Sequence, residues 1–458
     1  MGDNKPKRAT QIIGALTATL GGFSLGTVLG WSSPAEALLV SAEDHTPILR
    51  TSEGGTLSQT EFTHVASILC LGAMVAQLFI ALLYDKLGPK ILMIILSVPF
   101  AACWFVMAFM SNFFILLGGR FILGFCGGSF CVIAPTYIGE IAEPAIRGAL
   151  GICFQLMLVL GIFMEFALAY FSSFPWLCIP AAIPPIILFV VMLFMPTSPA
   201  FLIKREKEEA AKHALQFFRG KDYNISDDYK QLQDYVNEGK GNFIENMKKK
   251  SSIKGFCMLL VLHVVQQLGG INAIMFYAAS IFDELELNAK HCNVGLGVVQ
   301  LVFCLIVASI VDKLGRKPLW IISLSVMILC LLIVGVYYFI RNADAQLGET
   351  LIHMPVIFIL IYTAGFNIAS GPLPWAMIGE YLPAGVKSII GPIITAVNWF
   401  LAYVVTFLFK PCVDWVGPGT VFLFFCVINT LGLIYVLFFL LETKNKTLDQ
   451  ITLELEGK

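Results

Sequence analysis

The sequence predicts an all-α membrane protein: twelve transmembrane helices in two pseudo-symmetric six-helix bundles, joined by a cytoplasmic helical linker. Three observations predict it. First, the 458 residues are 57% apolar and 13% charged, at a mean hydropathy of +0.80, where soluble domains run at roughly 45–50% apolar and about 25% charged. Second, the apolar residues gather in runs of the ~20-residue length that crosses a bilayer. Third, the two halves of the chain repeat one another at matched positions. A cytosolic enzyme, a disordered chain and a secreted disulfide scaffold are excluded, and a net charge of −1 argues against a nucleic-acid partner.

Long apolar stretches place the spans near 11–38, 62–84, 90–110, 113–137, 148–171, 174–195, 255–282, 293–311, 318–340, 352–378, 388–410 and 417–441. The one long polar interruption, 201–253, carries the runs Lys204-Arg205-Glu206-Lys207-Glu208-Glu209 and Lys248-Lys249-Lys250. It is the expected linker between a first bundle (1–200) and a second bundle with a short tail (254–458). An even number of spans puts both ends on one side. That side collects 25 of the 30 Lys and Arg; with the linker's 11 and the adjoining Lys254 set aside, 13 stand against Arg50, Lys290, Arg341 and Lys410 opposite. The positive-inside rule then makes both termini cytoplasmic, with the cell (plasma) membrane the default location because neither tail carries an acidic dileucine sorting signal. Lys5, Lys7 and Arg8 before the first apolar run resemble a signal peptide, but the following spans favour an uncleaved first helix.

Most of the twelve cysteines sit in apolar runs, where Cys acts as a small hydrophobe. Cys292 and Cys412 fall near outer loops, so a bridge between them stays open. With no CxxC pair, no metal or cofactor is expected.

The repeat is specific. Asp85-Lys-Leu-Gly-Pro-Lys90 recurs as Asp312-Lys-Leu-Gly-Arg-Lys317, displaced by 227 residues, and Ile138-Gly-Glu140 recurs as Ile378-Gly-Glu380, each with a basic residue seven positions on (Arg147, Lys387). Each Asp-Lys-x-Gly-x-Lys segment must be a tight turn between spans, with Gly88 and Gly315 free to take positive φ and the acid able to accept hydrogen bonds at the start of the next helix. An internal duplication around a polar linker is a signature of transporters that rock two halves about a central site.

At these positions the chain resembles the sugar porters of the major facilitator superfamily, over almost its whole length. Pro135-Thr-Tyr-Ile-Gly-Glu140-Ile-Ala-Glu-Pro144-Ala-Ile-Arg147-Gly148 matches the family's fourth-span exit, and Gln266-Gln267-Leu-Gly-Gly-Ile-Asn272 its seventh span, with Gly269 where Ser is usual. Gly371-Pro-Leu-Pro374-Trp375 matches the tenth span and Glu442-Thr443-Lys444 the tail. The first span, Gly30-Trp31-Ser32-Ser33-Pro34-Ala35, is similar to the insect facilitated trehalose transporter branch. The resemblance implies an inner-face charge network of Asp85, Glu140, Arg147, Asp312, Arg316, Glu380 and Lys387. The chain departs from the family at Thr197 and Ala200, where Glu and Arg are usual, and at Pro89 and Lys387, where Arg is. This thinning predicts a weaker bias toward the outward-open state.

A sugar is uncharged and rich in hydroxyls, so its site needs amides, which donate and accept, and an aromatic face. The resemblance implies sugar contacts at Gln155, Gln266, Gln267 and Asn272, stacking on Trp375, and a ring completed by Gln300 and Asn398. Gln266 and Asn272 are six residues apart and share a cavity only if the helix breaks at Gly269-Gly270; Pro372 and Pro374 should likewise interrupt the tenth span. Phe276 and Tyr277 serve equally as an outer gate or as packing. His263 reads as an interior histidine with its hydrogen bonds satisfied.

Proton-linked members carry an Asp in the first span, where this chain has Val28, which favours passive uniport. Glu165 complicates that. Its depth matches that of Arg120 on the preceding antiparallel span, so a structural ion pair between Arg120 and Glu165, a proton site and an isolated, partly hydrated acid all stay open. The leading expectation is a facilitative sugar transporter, for trehalose or a hexose such as glucose, working by alternating access. The alternatives are a proton-coupled symporter and a sugar sensor, the latter disfavoured because such proteins usually carry a long cytoplasmic extension and only about 17 residues follow Leu441. The implied partners are the sugar and the lipid bilayer; oligomeric state is not legible, and nothing in the spans suggests an enzyme.

Overall fold

The computed structural model describes residues 6–40, 57–109, 112–171, 173–238, 243–382, 384–446 and 448–457. These residues form helices and no strand. Twelve helices are long and apolar enough to cross a membrane: Ala9–Val40, Gln59–Leu87, Pro89–Ala108, Phe113–Ile141, Pro144–Phe171, Phe174–Phe194, Lys250–Phe276, Ala289–Val311, Arg316–Ala343, Met354–Tyr381, Ile389–Val416 and Pro418–Phe439. They are the first to twelfth spans. Each overlaps its expected apolar run, and several extend past it because polar residues cap the ends. Ser58 and Glu61 form a reciprocal capping box that starts the second helix three residues before the apolar stretch.

The turns take the expected form, with φ of 78° at Gly88 and 93° at Gly315. Both helix breaks occur. The seventh span stops at Leu268, passes Gly270 at φ 98°, and resumes as Ile271–Phe276. The tenth is divided into Met354–Ile368 and Leu373–Tyr381. Pro199–Lys204, Glu208–Arg219, Ser226–Glu238 and Phe243–Lys248 make the linker region helical.

Close seams hold the first bundle. A side-chain carbon on Gly26 would strike the Leu158 carbonyl, and one on Gly161 the Phe23 carbonyl, so the first and fifth spans meet backbone to backbone. Gly72 and Gly124 do the same for the second and fourth spans, against Phe121 and Leu69. The bundles meet where the second span packs on the eleventh and the fifth on the eighth. All twelve cysteines are free thiols, so the Cys292–Cys412 bridge is not made.

Candidate functional site

The broken seventh span organises the centre. Tyr362 Oη donates to the Gly269 carbonyl at 2.9 Å and Asn429 Nδ2 at 3.3 Å, while the Phe425 ring fills the space a side chain at Gly270 would need. The break brings Asn272 Nδ2 to 2.6 Å from Gln267 Oε1. Gln267 Nε2 donates to Asn398 Oδ1 at 2.9 Å, and Asn398 Nδ2 to Gln266 Oε1 at 2.8 Å. Gln266 Nε2 in turn donates to the carbonyls of Ser370 and Gly371, at 2.7 and 2.9 Å, in the break of the tenth span. Four of the expected amides thus form one chain across three spans. Asn398 is fully buried and bridges Gln266 and Gln267.

Trp375 is half-buried at the start of the second piece of the tenth span. Gln300 lies toward the second piece of the seventh span, its Nε2 3.2 Å from Met275 Sδ. On the fifth span, Phe154 and Leu158 face the first span, whereas Phe163 and Phe166 meet Gly297 of the eighth. Helical geometry puts Gln155 between those two faces, turned to the centre and half-buried. Gly148 and Gly151 share its face toward the linker side, and no atom lies within 4 Å of where their side chains would project.

The opposite side is shut. Ser33 Oγ of the first span accepts from Ala279 N at 2.9 Å and from Asn293 Nδ2 at 3.0 Å, both across the bundle boundary. The rings of His64 and Phe407, and of Tyr170 and His291, also meet there, at 5.2 and 5.5 Å. Phe276 and Tyr277 are buried, with Tyr277 Oη donating to the Thr406 carbonyl at 3.0 Å. On the linker side, among the described residues, no comparable contact closes the space beside Gly148 and Gly151, where no atom lies within 4 Å of an added side-chain carbon. No role for Asn293 was legible in the sequence, and Ser33 entered only as part of the first-span motif.

Two expectations need correction. Arg120 and Glu165 form no direct ion pair. Arg120 is fully buried and donates to the Val28 carbonyl at 2.9 Å, the Val65 carbonyl at 3.4 Å and Ser32 Oγ at 2.7 Å, with its guanidinium 4.6 Å from the centre of the Trp31 ring. Both carboxyl oxygens of Glu165 are buried without a hydrogen-bond partner. Matched depth did not bring the tips together, because backbone carbonyls and a π face already satisfy the guanidinium. Nor does Asp85 cap the third span, which has no side-chain cap; it pairs with Lys204 of the linker region at 2.7 Å. The side chain of Asp312 lies outside the described residues.

The remaining inner-face charges keep to their own halves. Glu140 accepts from Tyr84 Oη at 2.9 Å, and Arg316 pairs with Glu380 at 3.0 Å. Among the described residues no acid lies within 4 Å of Arg147 or Lys387. A cavity of about 360 Å³ sits at this face, lined by Arg316, Glu380, Thr443 and Lys446 among others, away from the amides. Among the described residues no His, Cys, Asp and Glu cluster could hold a metal ion.

The family model described as Sugar (and other) transporter matches residues 14–455. The chain is 30% identical over 455 residues to the facilitated trehalose transporter of Polypedilum vanderplanki, covering 98% of this chain and 88% of the relative. It is 31% identical over 479 residues to the solute carrier family 2 facilitated glucose transporter member 8 of Bos taurus, covering 100% and 97%. The solved structure of the proton:xylose symporter XylE bound to 6-bromo-6-deoxy-D-glucose superposes with a TM-score of 0.77 at 20% identity, over 97% of this chain and 98% of that one, and an inward-open structure of XylE with 0.76 at 19%. The fold is therefore that of the major facilitator superfamily, and the chain belongs to the sugar (and other) transporter family.

Proposed function

We propose that the protein is a facilitative uniporter that carries trehalose or a hexose such as glucose across the plasma membrane, with the linker and both termini in the cytoplasm. Residues 1–200 and 254–458 act as the two moving units and 201–253 as their tether. One observation carries the reading: an uncharged chain of Gln266, Gln267, Asn272 and Asn398 beside Trp375, with Gln155 turned toward the same centre from the other bundle. Such a set matches hydroxyls with donors and acceptors and leaves no charge to attract an ionic substrate. The names of the two relatives above support both the class and the choice of sugars. The shut side facing Ser33 and the open side below Gln155 support alternating access, with this conformation facing the cytoplasm.

The test is counterflow in proteoliposomes, labelled trehalose against labelled glucose. Gln155→Ala and Trp375→Ala should each raise KM about five- to tenfold, the size of one lost hydrogen bond or stacking contact, and an imposed pH gradient should leave uptake unchanged. Uptake driven by the gradient and abolished in Glu165→Gln would instead establish proton-coupled symport, the reading that the partnerless Glu165 carboxyl favours.

A further inference from the structure

His263 stands one helical turn before Gln266 and Gln267 and is fully buried. Nδ1 lies 3.0 Å from Asn398 Nδ2, whereas Nε2 makes no close hydrogen bond and the ring's other polar neighbour is the Pro374 backbone. The Asn398 amide is oriented from both ends, because its Oδ1 accepts from Gln267 and its Nδ2 donates to Gln266. The group it turns to His263 is therefore a donor, so Nδ1 must accept and the ring hydrogen sits on Nε2. The imidazole plane stands at 90° to the indole of Trp375, with centroids 5.2 Å apart, an edge-to-face arrangement that fixes both rings.

We infer that His263 is a positioning residue for sugar recognition: through Nδ1 it locks Asn398, the hub of the amide chain, and through its ring edge it sets the tilt of Trp375. The inference rests on the reading that Trp375 and the amides face the sugar. Few side chains can do both. Asparagine offers Asn398 an acceptor but no ring, and phenylalanine offers Trp375 a ring edge but no acceptor. Imidazole in this tautomer supplies both from one rotamer, coupling the amides that read hydroxyls to the surface that reads the apolar sugar face.

The test is equilibrium exchange of trehalose and of glucose in proteoliposomes by His263→Asn, His263→Gln, His263→Phe, Trp375→Phe and the His263→Asn/Trp375→Phe double variant, with melting in detergent to identify folded variants. His263→Asn should raise KM about fivefold with maximal rate within about twofold, and His263→Phe should raise it at least as much. In the Trp375→Phe background His263→Asn should add less than about twofold, because little tilt is left to set. The inference is overturned if KM is unchanged in every folded His263 variant while Trp375→Phe raises it, or if the two effects multiply. If Trp375→Phe itself leaves KM unchanged, the reading of the site falls, and this inference with it. His263→Gln, which keeps an acceptor without a ring, replaces His263→Asn if that variant does not fold.

Discussion

Gly88 and Gly315 close the same turn in the two halves, but opposite charges hold the two turns. In the second half the helix that follows is capped by an anion: Glu442 accepts from Arg316 N and Lys317 N, both at 3.0 Å, and from Lys444 N at 2.8 Å. In the first half the helix that precedes is capped by a cation: Arg205 Nη2 donates to the carbonyls of Asp85 at 2.6 Å and Lys86 at 2.9 Å, with Phe201 packed against Gly88. The reason is Pro89. It has no N–H, so the third span offers an anion fewer donors, and Thr197 in place of a carboxylate leaves less unsatisfied. Glu140, which has no arginine at position 89 to pair with, takes the hydroxyls of Tyr84 and Ser198 instead. Pro89 thus goes with a different set of bonds at this turn. The first half, which lacks those charges, makes other bonds around the same backbone.

The comparison can be broken most directly at Glu442. Glu442→Ala should cost about 2 kcal/mol, the loss of a charged helix cap, seen as a lower melting temperature in detergent, whereas Thr197→Ala should change almost nothing. The same site predicts a pH effect. Partial burial alone would raise the Glu442 pKa, but the backbone N–H groups of Arg316, Lys444, Lys317 and Thr443 outweigh it and hold the carboxyl below its ordinary value. A depressed carboxylate supplies stability that is complete above the unfolded value, about 4.3, and is lost as pH falls through the folded one. Wild type should therefore lose melting temperature below pH ~4 more steeply than Glu442→Gln.

A smaller effect belongs to the first half. Arg205→Ala should cost about 0.5–1 kcal/mol, the scale of a cation at an exposed helix C-terminus, measured in the same melts. Smaller again, Thr197→Glu alone should not stabilise, while Thr197→Glu with Pro89→Arg should add about 0.5 kcal/mol by restoring donors and a partner for Glu140. Last, Thr197→Glu with Ala200→Arg should move the inward-to-outward ratio, read by spin-label distances, toward outward by less than about tenfold. An unchanged ratio would show that these charges do not bias the two states.

Much of this was legible from the sequence because it depends on local chemistry. Apolar runs gave the spans, Gly269-Gly270 and the prolines of the tenth span gave the breaks, and the six-residue spacing of Gln266 and Asn272 required the break that unites them. What was not legible depends on how helices turn toward each other. Asn398 meets Gln266, Gln267 and His263 across 131–135 residues of sequence, and no spacing encodes that. Arg120 finds backbone carbonyls, which every sequence offers and none advertises. The cap on the ninth span comes from Glu442, 126 residues away, and the partner of Asp85 from Lys204, 119 away.

The glycine seam between the first and fifth spans makes those two helices a single stiff strut. Ser33 lies at one end of it and Gln155 toward the other, so the two positions share one closely packed pair of helices. On the reading proposed above, in which Gln155 faces the sugar, this shared packing ties the hold on cargo to the closure at Ser33.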